Sequence, residues 1–188
     1  TDYTVGAFYY NFTTFNTSTV QVPTVGKYSM VNGVVPSVVM TNHIQQAKRG
    51  GIDYFLFPLR SVSRDLINFR ADSSTVKSFL DVNTDNLKFA LAYNFLNTTF
   101  AISTTAPLEN DAVKLEQFFQ DIIKMVRQMK NANYIKVNGK ALLYIMNAHL
   151  LFSNNNINIY TTLRSRLSAL GIELYIVGMQ ERWSPPAR

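Results

Sequence analysis

The stretch Gly50-Gly51-Ile52-Asp53-Tyr54-Phe55-Leu56-Phe57 shows most directly how this chain folds. Its last six residues form an almost continuous apolar run, which is typical of a strand that is covered on both faces. The two glycines end a helical pattern that starts at Pro36-Ser37, with Ser37 as the expected N-cap. The apolar face of that helix consists of Met40, His43, Ile44 and Ala47. The sequence here therefore predicts a helix that leads into a buried strand.

The same alternation of helix and apolar strand recurs along the chain. We expect strands at residues 5–10, 52–57, 87–93, 140–146 and 172–178. The clearest helix spans about residues 110–130, because its apolar residues recur at spacings of three and four. Asn138-Gly139 favours a type I′ turn, which predicts a hairpin between residues 134–137 and 140–146.

Apolar strands that alternate with helices indicate a single α/β domain on a parallel sheet. Two architectures fit this pattern. One is a (β/α)₈ TIM barrel of which about five β/α units are present, because a complete barrel needs about 200 residues or more and this chain has 188. The other is a flavodoxin-like doubly wound sheet with strand order 2-1-3-4-5, complete at this length. Both place function at the carboxyl ends of the strands.

The amino-acid composition limits the kinds of molecule that this chain is expected to bind. The chain has 18 Lys and Arg against 12 Asp and Glu, but these basic residues are scattered, so we expect no nucleic-acid partner. Aromatic residues reach 13%, while charged residues make up 16% against a typical figure of about 25%. A surface rich in rings, amides and hydroxyls suits sugar or peptide binding. No apolar stretch approaches the ~18 residues of a membrane span, and no oligomeric state is predicted.

Polar and aromatic side chains follow the predicted strands. Aromatic rings stack on the apolar faces of sugars, while amides and Arg pair with hydroxyl groups. These residues predict a carbohydrate cleft, although each could instead cap the sheet and bind loop backbone. The candidate binding residues are Tyr9, Tyr10, Arg60, Tyr93, Asn94, Asn147, His149 and Trp183.

A catalytic pair of carboxylates is harder to find. Glu181 is the one acidic residue at the end of a predicted strand, which makes it a weak catalytic candidate. Glycoside hydrolysis ordinarily needs two carboxyl groups, so we expect the acid pair outside this chain. Asp53, at the opposite end of its strand, is expected to fix a loop by accepting backbone N–H groups.

No metal or cofactor is expected. The chain has no cysteine, and no acidic cluster accompanies His43 or His149 at ligand spacing. His43 lies on an apolar helix face and is expected to be structural. Glycine-rich phosphate loops and the G-x-S-x-G elbow are also absent. The hydroxyl-rich segment 13–19 leaves a flavodoxin-like domain that binds a small anionic ligand as an alternative.

Several short strings resemble one family when they are taken in order. Ala7-Phe8-Tyr9-Tyr10 resembles the Phe-Tyr-Tyr opening of glycoside hydrolase family 99 and the related WbsX-like proteins, and Gly26-Lys27-Tyr28-Ser29 is similar to their Gly-x-Tyr-Ser segment. The remaining strings resemble two other parts of the same family: its first helix, which leads into strand two, and its hairpin, which leads into strand four. They are Pro36-Ser37-Val38, His43-Ile44-Gln45-Gln46-Ala47-Lys48, Gly51-Ile52-Asp53, Tyr134-Ile135-Lys136-Val137-Asn138-Gly139-Lys140 and Leu142-Leu143-Tyr144-Ile145.

The resemblance implies a (β/α)₈ barrel that acts on α-mannosides or related polysaccharides without a metal. It further implies a secreted, periplasmic or surface-bound protein of a polysaccharide-degrading bacterium. Because the chain opens with the polar Thr1-Asp2-Tyr3-Thr4, we expect no signal peptide within it. The family's late Asn-Glu-Trp-x-Glu motif does not occur in this sequence, so a carbohydrate-binding barrel without catalysis stays open as an alternative.

Overall fold

The structure is a computed structural model that describes residues 3–10 and 34–180. The strands are β1 (Gly6–Phe8), β2 (Tyr54–Leu59), β3 (Lys88–Asn94), β4 (Lys136–Val137), β5 (Lys140–Met146) and β6 (Leu174–Gly178). The helices are α1 (Ser37–Arg49), α2 (Leu66–Val82), α3 (Asn97–Phe100), α4 (Ala112–Ile123), α5 (Val126–Met129) and α6 (Asn156–Ser168). Single 3₁₀ turns lie at Leu108–Asn110 and Ala148–Leu150.

The five main strands are parallel and lie side by side in chain order, β1-β2-β3-β5-β6. The predicted flavodoxin-like order 2-1-3-4-5 is therefore wrong for the described strands, because their order never reverses. β4 is short and pairs antiparallel with the start of β5. The turn between these two strands has positive φ at both Asn138 (50°) and Gly139 (78°), as a type I′ turn requires.

Sequential parallel strands place their connecting helices on one face of the sheet, because the crossovers are right-handed. Phe55 and Phe57 of β2 point to that face, where their rings lie 6.0 and 5.1 Å from the ring of Phe79 in α2. Phe89 of β3 packs on the same Phe79 ring at 5.5 Å. This helix-covered face forms the core of the molecule.

We call the opposite face of the sheet the open face. Strand alternation places Tyr54 of β2 and Tyr144 of β5 on it, and their hydroxyl groups are hydrogen-bonded at 2.9 Å. Both rings reach across β3, where the small Ala90 and Ala92 lie between them in the register. The other open-face side chains in the register are Phe8, Leu56, Pro58, Lys88, Asn94, Leu142, Met146, Tyr175 and Val177.

Several local predictions need correction. α1 begins at Ser37 itself, so Pro36 occupies the N-cap position and no side chain caps the helix. The long helix expected at 110–130 is divided, since α4 ends at Ile123 and α5 begins at Val126.

The predicted role of Asp53 is confirmed, because its carboxylate accepts a hydrogen bond of 2.7 Å from the Val5 N–H.

No helix within residues 3–10 and 34–180 combines the length and the apolar character that a membrane crossing requires.

Candidate functional site

The carboxyl ends of the parallel strands share one edge of the sheet, which we call the carboxyl edge. Tyr10 follows β1, Asn94 ends β3 and Asn147 follows β5. The ring of Tyr10 stacks on Phe8 at 5.5 Å and is 46% exposed. Asn94 is half-buried and lies opposite Met146 in the register. Tyr10 and Asn94 therefore lie on the open face near this edge, as a ligand site there requires.

Tyr9 and Tyr93 lie on the other face. The Tyr9 ring packs against Phe55 at 5.1 Å, and its hydroxyl is hydrogen-bonded to His43 Nδ1 at 2.8 Å. Tyr93 is 0% exposed, and its ring lies 5.7 Å from that of Phe118 in α4. Because neighbouring residues of a strand point to opposite faces, the structure separates Tyr9 from Tyr10 and Tyr93 from Asn94.

His43 is half-buried on α1, where burial lowers the pKa of its imidazole. Its hydrogen bond to Tyr9 gives it the structural surroundings that the sequence predicted. A shallow cavity of about 270 Å³ lies beside this pair and is also lined by Gln46, Ala47 and Ile52.

Arg60 follows β2 but its guanidinium is held by α2. Nη2 lies 2.7 Å from Asp72 Oδ1, and both Nε and the backbone N–H of Arg60 donate to Asp72 Oδ2 at 2.9 Å. Asp72 is 4% exposed, and its hydrogen bond raises the pKa of Arg60. Such a bidentate pair fixes the orientation of the guanidinium strongly. Arg60 thus lies at the predicted carboxyl edge, and its guanidinium is already bound to Asp72.

A second carboxylate, Asp121 of α4, binds the loop that follows Arg60. Its Oδ1 accepts hydrogen bonds from the Ser63 backbone N–H at 2.9 Å and from the Ser63 hydroxyl at 2.6 Å. Its Oδ2 accepts one from Tyr93 at 2.7 Å and another from the Ser61 hydroxyl. Asp121 is 1% exposed, so neutral donors satisfy a fully buried acid. Burial is the main cause that raises the pKa of Tyr93, and the negative charge of Asp121 is the second.

Two further predicted residues follow β5. Asn147 is buried in the left-handed conformation (φ 55°), and its Nδ2 donates a 3.1 Å hydrogen bond to the Phe95 carbonyl. This bond ties the end of β5 to the segment after β3. His149 lies in the 3₁₀ turn and is exposed. Glu181 and Trp183 lie outside the described residues.

Asp72 and Asp121 were not predicted from the sequence. A signal for both was present, because each acid occupies the apolar face of an amphipathic helix. Asp72 shares its helix face with Val76 and Phe79, and Asp121 follows Phe118 by three residues. Within residues 3–10 and 34–180, no group of three or more His, Asp or Glu could hold a metal ion.

Comparison with known proteins gives structural relatives. No protein-family model matches this chain, and no curated protein sequence matches it either. One solved structure, a glycoside hydrolase-like protein, is 29% identical, with a TM-score of 0.82 over 98% of this chain and 54% of its own. The GH99 endo-alpha-mannosidase from Bacteroides thetaiotaomicron in complex with BIS-TRIS-propane is 14% identical, with a TM-score of 0.50 over 93% of this chain and 51% of its own.

The chain therefore spans about half the length of both structures. Its α/β architecture is similar to that of glycoside hydrolase structures of the TIM-barrel type. The similarity at 14% identity concerns the fold alone.

Proposed function

We propose that this chain forms the first β/α units of a glycoside hydrolase-like barrel that binds a glycan at the carboxyl edge of its sheet. The observation that carries this proposal is the similarity to a glycoside hydrolase-like protein over 98% of the chain. The sequential strand order agrees with it, because a barrel adds each β/α unit beside the last.

The two outer strands of the sheet support the proposal that the sheet closes into a barrel. In the described part of the chain, β1 pairs with β2 alone and β6 pairs with β5 alone, so both outer strands keep a free edge. Free edges are normally paired or covered. We propose that further β/α units pair with these edges and enclose the open face, and that the catalytic carboxylates come from those further units.

At the carboxyl edge, Tyr10 and Asn94 are the residues best placed to meet a sugar. An exposed ring offers a stacking surface, and the Asn94 amide offers one donor and one acceptor group to hydroxyls. We propose an α-mannoside-type or related polysaccharide as the substrate and an extracytoplasmic location for the protein.

Isothermal titration calorimetry with mannan-derived oligosaccharides tests this function. We expect the chain to bind them and Tyr10→Ala to weaken binding about fivefold, because one stacking ring contributes on the order of 1 kcal/mol. Tyr175→Ala is the matched control, since Tyr175 is 43% exposed on the same face but near the amino end of β6. Its affinity should equal that of the unchanged chain.

The outcomes separate the proposals. Binding by the chain, with hydrolysis of mannan only after a longer protein supplies the remaining units, supports a hydrolase. Binding without hydrolysis by that longer protein supports a carbohydrate-binding barrel. If Tyr10→Ala and Tyr175→Ala bind as tightly as the unchanged chain, the site assignment fails. If the unchanged chain binds no oligosaccharide, the proposed glycan class fails.

A further inference from the structure

The loop between β2 and α2, residues 60–65, lies at the carboxyl edge and is fastened by two buried carboxylates from different helices. Asp72 of α2 binds its first residue, Arg60, through three hydrogen bonds. Asp121 of α4 binds Ser61 and Ser63 in the middle of the loop. The two acids are 4% and 1% exposed, so water competes little for these bonds.

The end of the loop is fastened as well. Arg64 donates from Nε to the Thr99 carbonyl at 2.7 Å and from Nη1 to Gln117 Oε1 at 2.9 Å. Its guanidinium carbon lies 5.5 Å from the centre of the Phe100 ring. The loop therefore contacts α3 and α4, which belong to the next β/α unit.

Asp121 is the centre of this arrangement, because its second oxygen also binds Tyr93. Tyr93 is the neighbour of Asn94 in β3, and the two side chains point to opposite faces. The same carboxylate thus sets the position of the β2–α2 loop and of the strand end that presents Asn94. All four of its donors are neutral, so the acid is not explained as one half of an ion pair.

We infer that Asp121 is a positioning residue for the glycan site: its carboxylate holds the β2–α2 loop and the end of β3 in the arrangement that a bound sugar meets. This inference rests on the proposed function for the identity of the ligand, but not for the state of the loop. It adds to that function a residue that acts from the helix-covered face.

Asp121→Asn is the direct test. An amide has one accepting oxygen, so its NH₂ group must face two of the four donors. We expect hydrogen exchange at the Ser63 N–H to be at least tenfold faster, with exchange in β5 unchanged. We also expect the Kd for a mannan-derived oligosaccharide to rise about tenfold at a temperature where the protein is fully folded.

Two further variants keep the test decisive. Tyr93→Phe removes one donor and retains the ring against Phe118, so a smaller change of both quantities is expected even if Asp121→Asn does not fold. Asp81→Asn is the control, since Asp81 is an exposed acid of α2 that binds Lys77. Neither quantity should change in that variant.

Hydrogen exchange at Ser63 and the oligosaccharide Kd together show which of the two proposals fails. Unchanged exchange at Ser63 in Asp121→Asn and Tyr93→Phe overturns the inference, and so does faster exchange with an unchanged oligosaccharide Kd. A lower unfolding temperature alone, without either change, shows a purely structural acid. If the unchanged chain binds no oligosaccharide, the proposed glycan class fails, while exchange at Ser63 still decides whether Asp121 holds the loop.

Discussion

The two faces of the sheet differ in how completely they are packed. On the helix-covered face the rings of Phe57, Phe79 and Phe89 are almost fully buried and contact one another. On the open face Leu56 and Leu142 are buried at the centre of the sheet, but Tyr10 and Tyr175 near its outer strands remain 46% and 43% exposed. The open face is therefore packed at its centre and exposed near its outer strands, where a ligand or further chain can reach it.

The sharpest test of this contrast compares one ring from each face. Phe79→Ala removes a fully buried ring that contacts β2 and β3, so we expect a loss of about 3–5 kcal/mol in the free energy of unfolding. Tyr175→Ala removes an exposed ring and should cost about 1 kcal/mol or less. Urea unfolding measures both. Similar losses for the two variants would contradict the contrast between the faces.

A second test compares two tyrosine hydroxyl groups. The Tyr134 hydroxyl lies between β3 and β5, where it accepts from the Leu91 N–H at 3.1 Å and donates to the Leu142 carbonyl at 2.7 Å. Tyr134→Phe leaves both backbone groups without this partner, so we expect a loss of about 2–4 kcal/mol. Tyr54→Phe removes the single hydroxyl–hydroxyl bond on the open face and should cost about 1 kcal/mol.

Thermal unfolding of the two variants ranks them. A greater loss for Tyr54→Phe than for Tyr134→Phe would mean that the hydroxyl pair on the open face contributes more to stability than the two backbone hydrogen bonds of Tyr134.

A third and smaller effect concerns the two loops that precede α4 and α6. Glu109 accepts hydrogen bonds from the Ser153 hydroxyl and from the N–H groups of Asn154 and Asn155. Partial burial, which alone would raise the pKa of Glu109, is outweighed by these bonds, so the pKa is lowered. The ionised form is thus favoured in the folded state, and its stabilisation is lost as the pH falls through the folded-state pKa.

Glu109→Gln should therefore cost about 1 kcal/mol at pH 7 and progressively less below pH ~4.3, the ordinary pKa of a glutamate. Urea unfolding of both proteins at pH 7 and pH 3 measures the difference. A gap that stays constant between these pH values would show that the charge of Glu109 is not what joins the two loops.

Much of the fold was predictable from sequence because it depends on local patterns. The apolar run at residues 52–57 and the glycines before it gave the helix and the strand, and Asn138-Gly139 gave the hairpin turn. Strand order was not predictable, because apolar strands of similar composition pair equally well in two orders. The break after Ile123 was also missed, since the apolar spacing continues across it.

The site was predicted less well, for a physical reason. Position at a strand end places a residue at the carboxyl edge, but the face depends on whether it occupies an odd or an even place in the strand. Tyr9 and Tyr93 were grouped with their neighbours Tyr10 and Asn94 although strand alternation separates them. The partners of Arg60 and Asn147 lie 12 and 52 residues away in sequence, so no local pattern shows which groups pair, even where an acid on an apolar helix face marks Asp72 as unusual.

Gly6 in β1 lies beneath the ring of Tyr54, and a Cβ atom added at this position would overlap that ring. We therefore expect the residue at each of these two positions to depend on the residue at the other. In related chains that carry a larger residue where Gly6 stands, we expect a smaller residue where Tyr54 stands, and with it the loss of the hydroxyl pair with Tyr144. A single glycine in the first strand thereby determines which aromatic residues the neighbouring strands can accommodate.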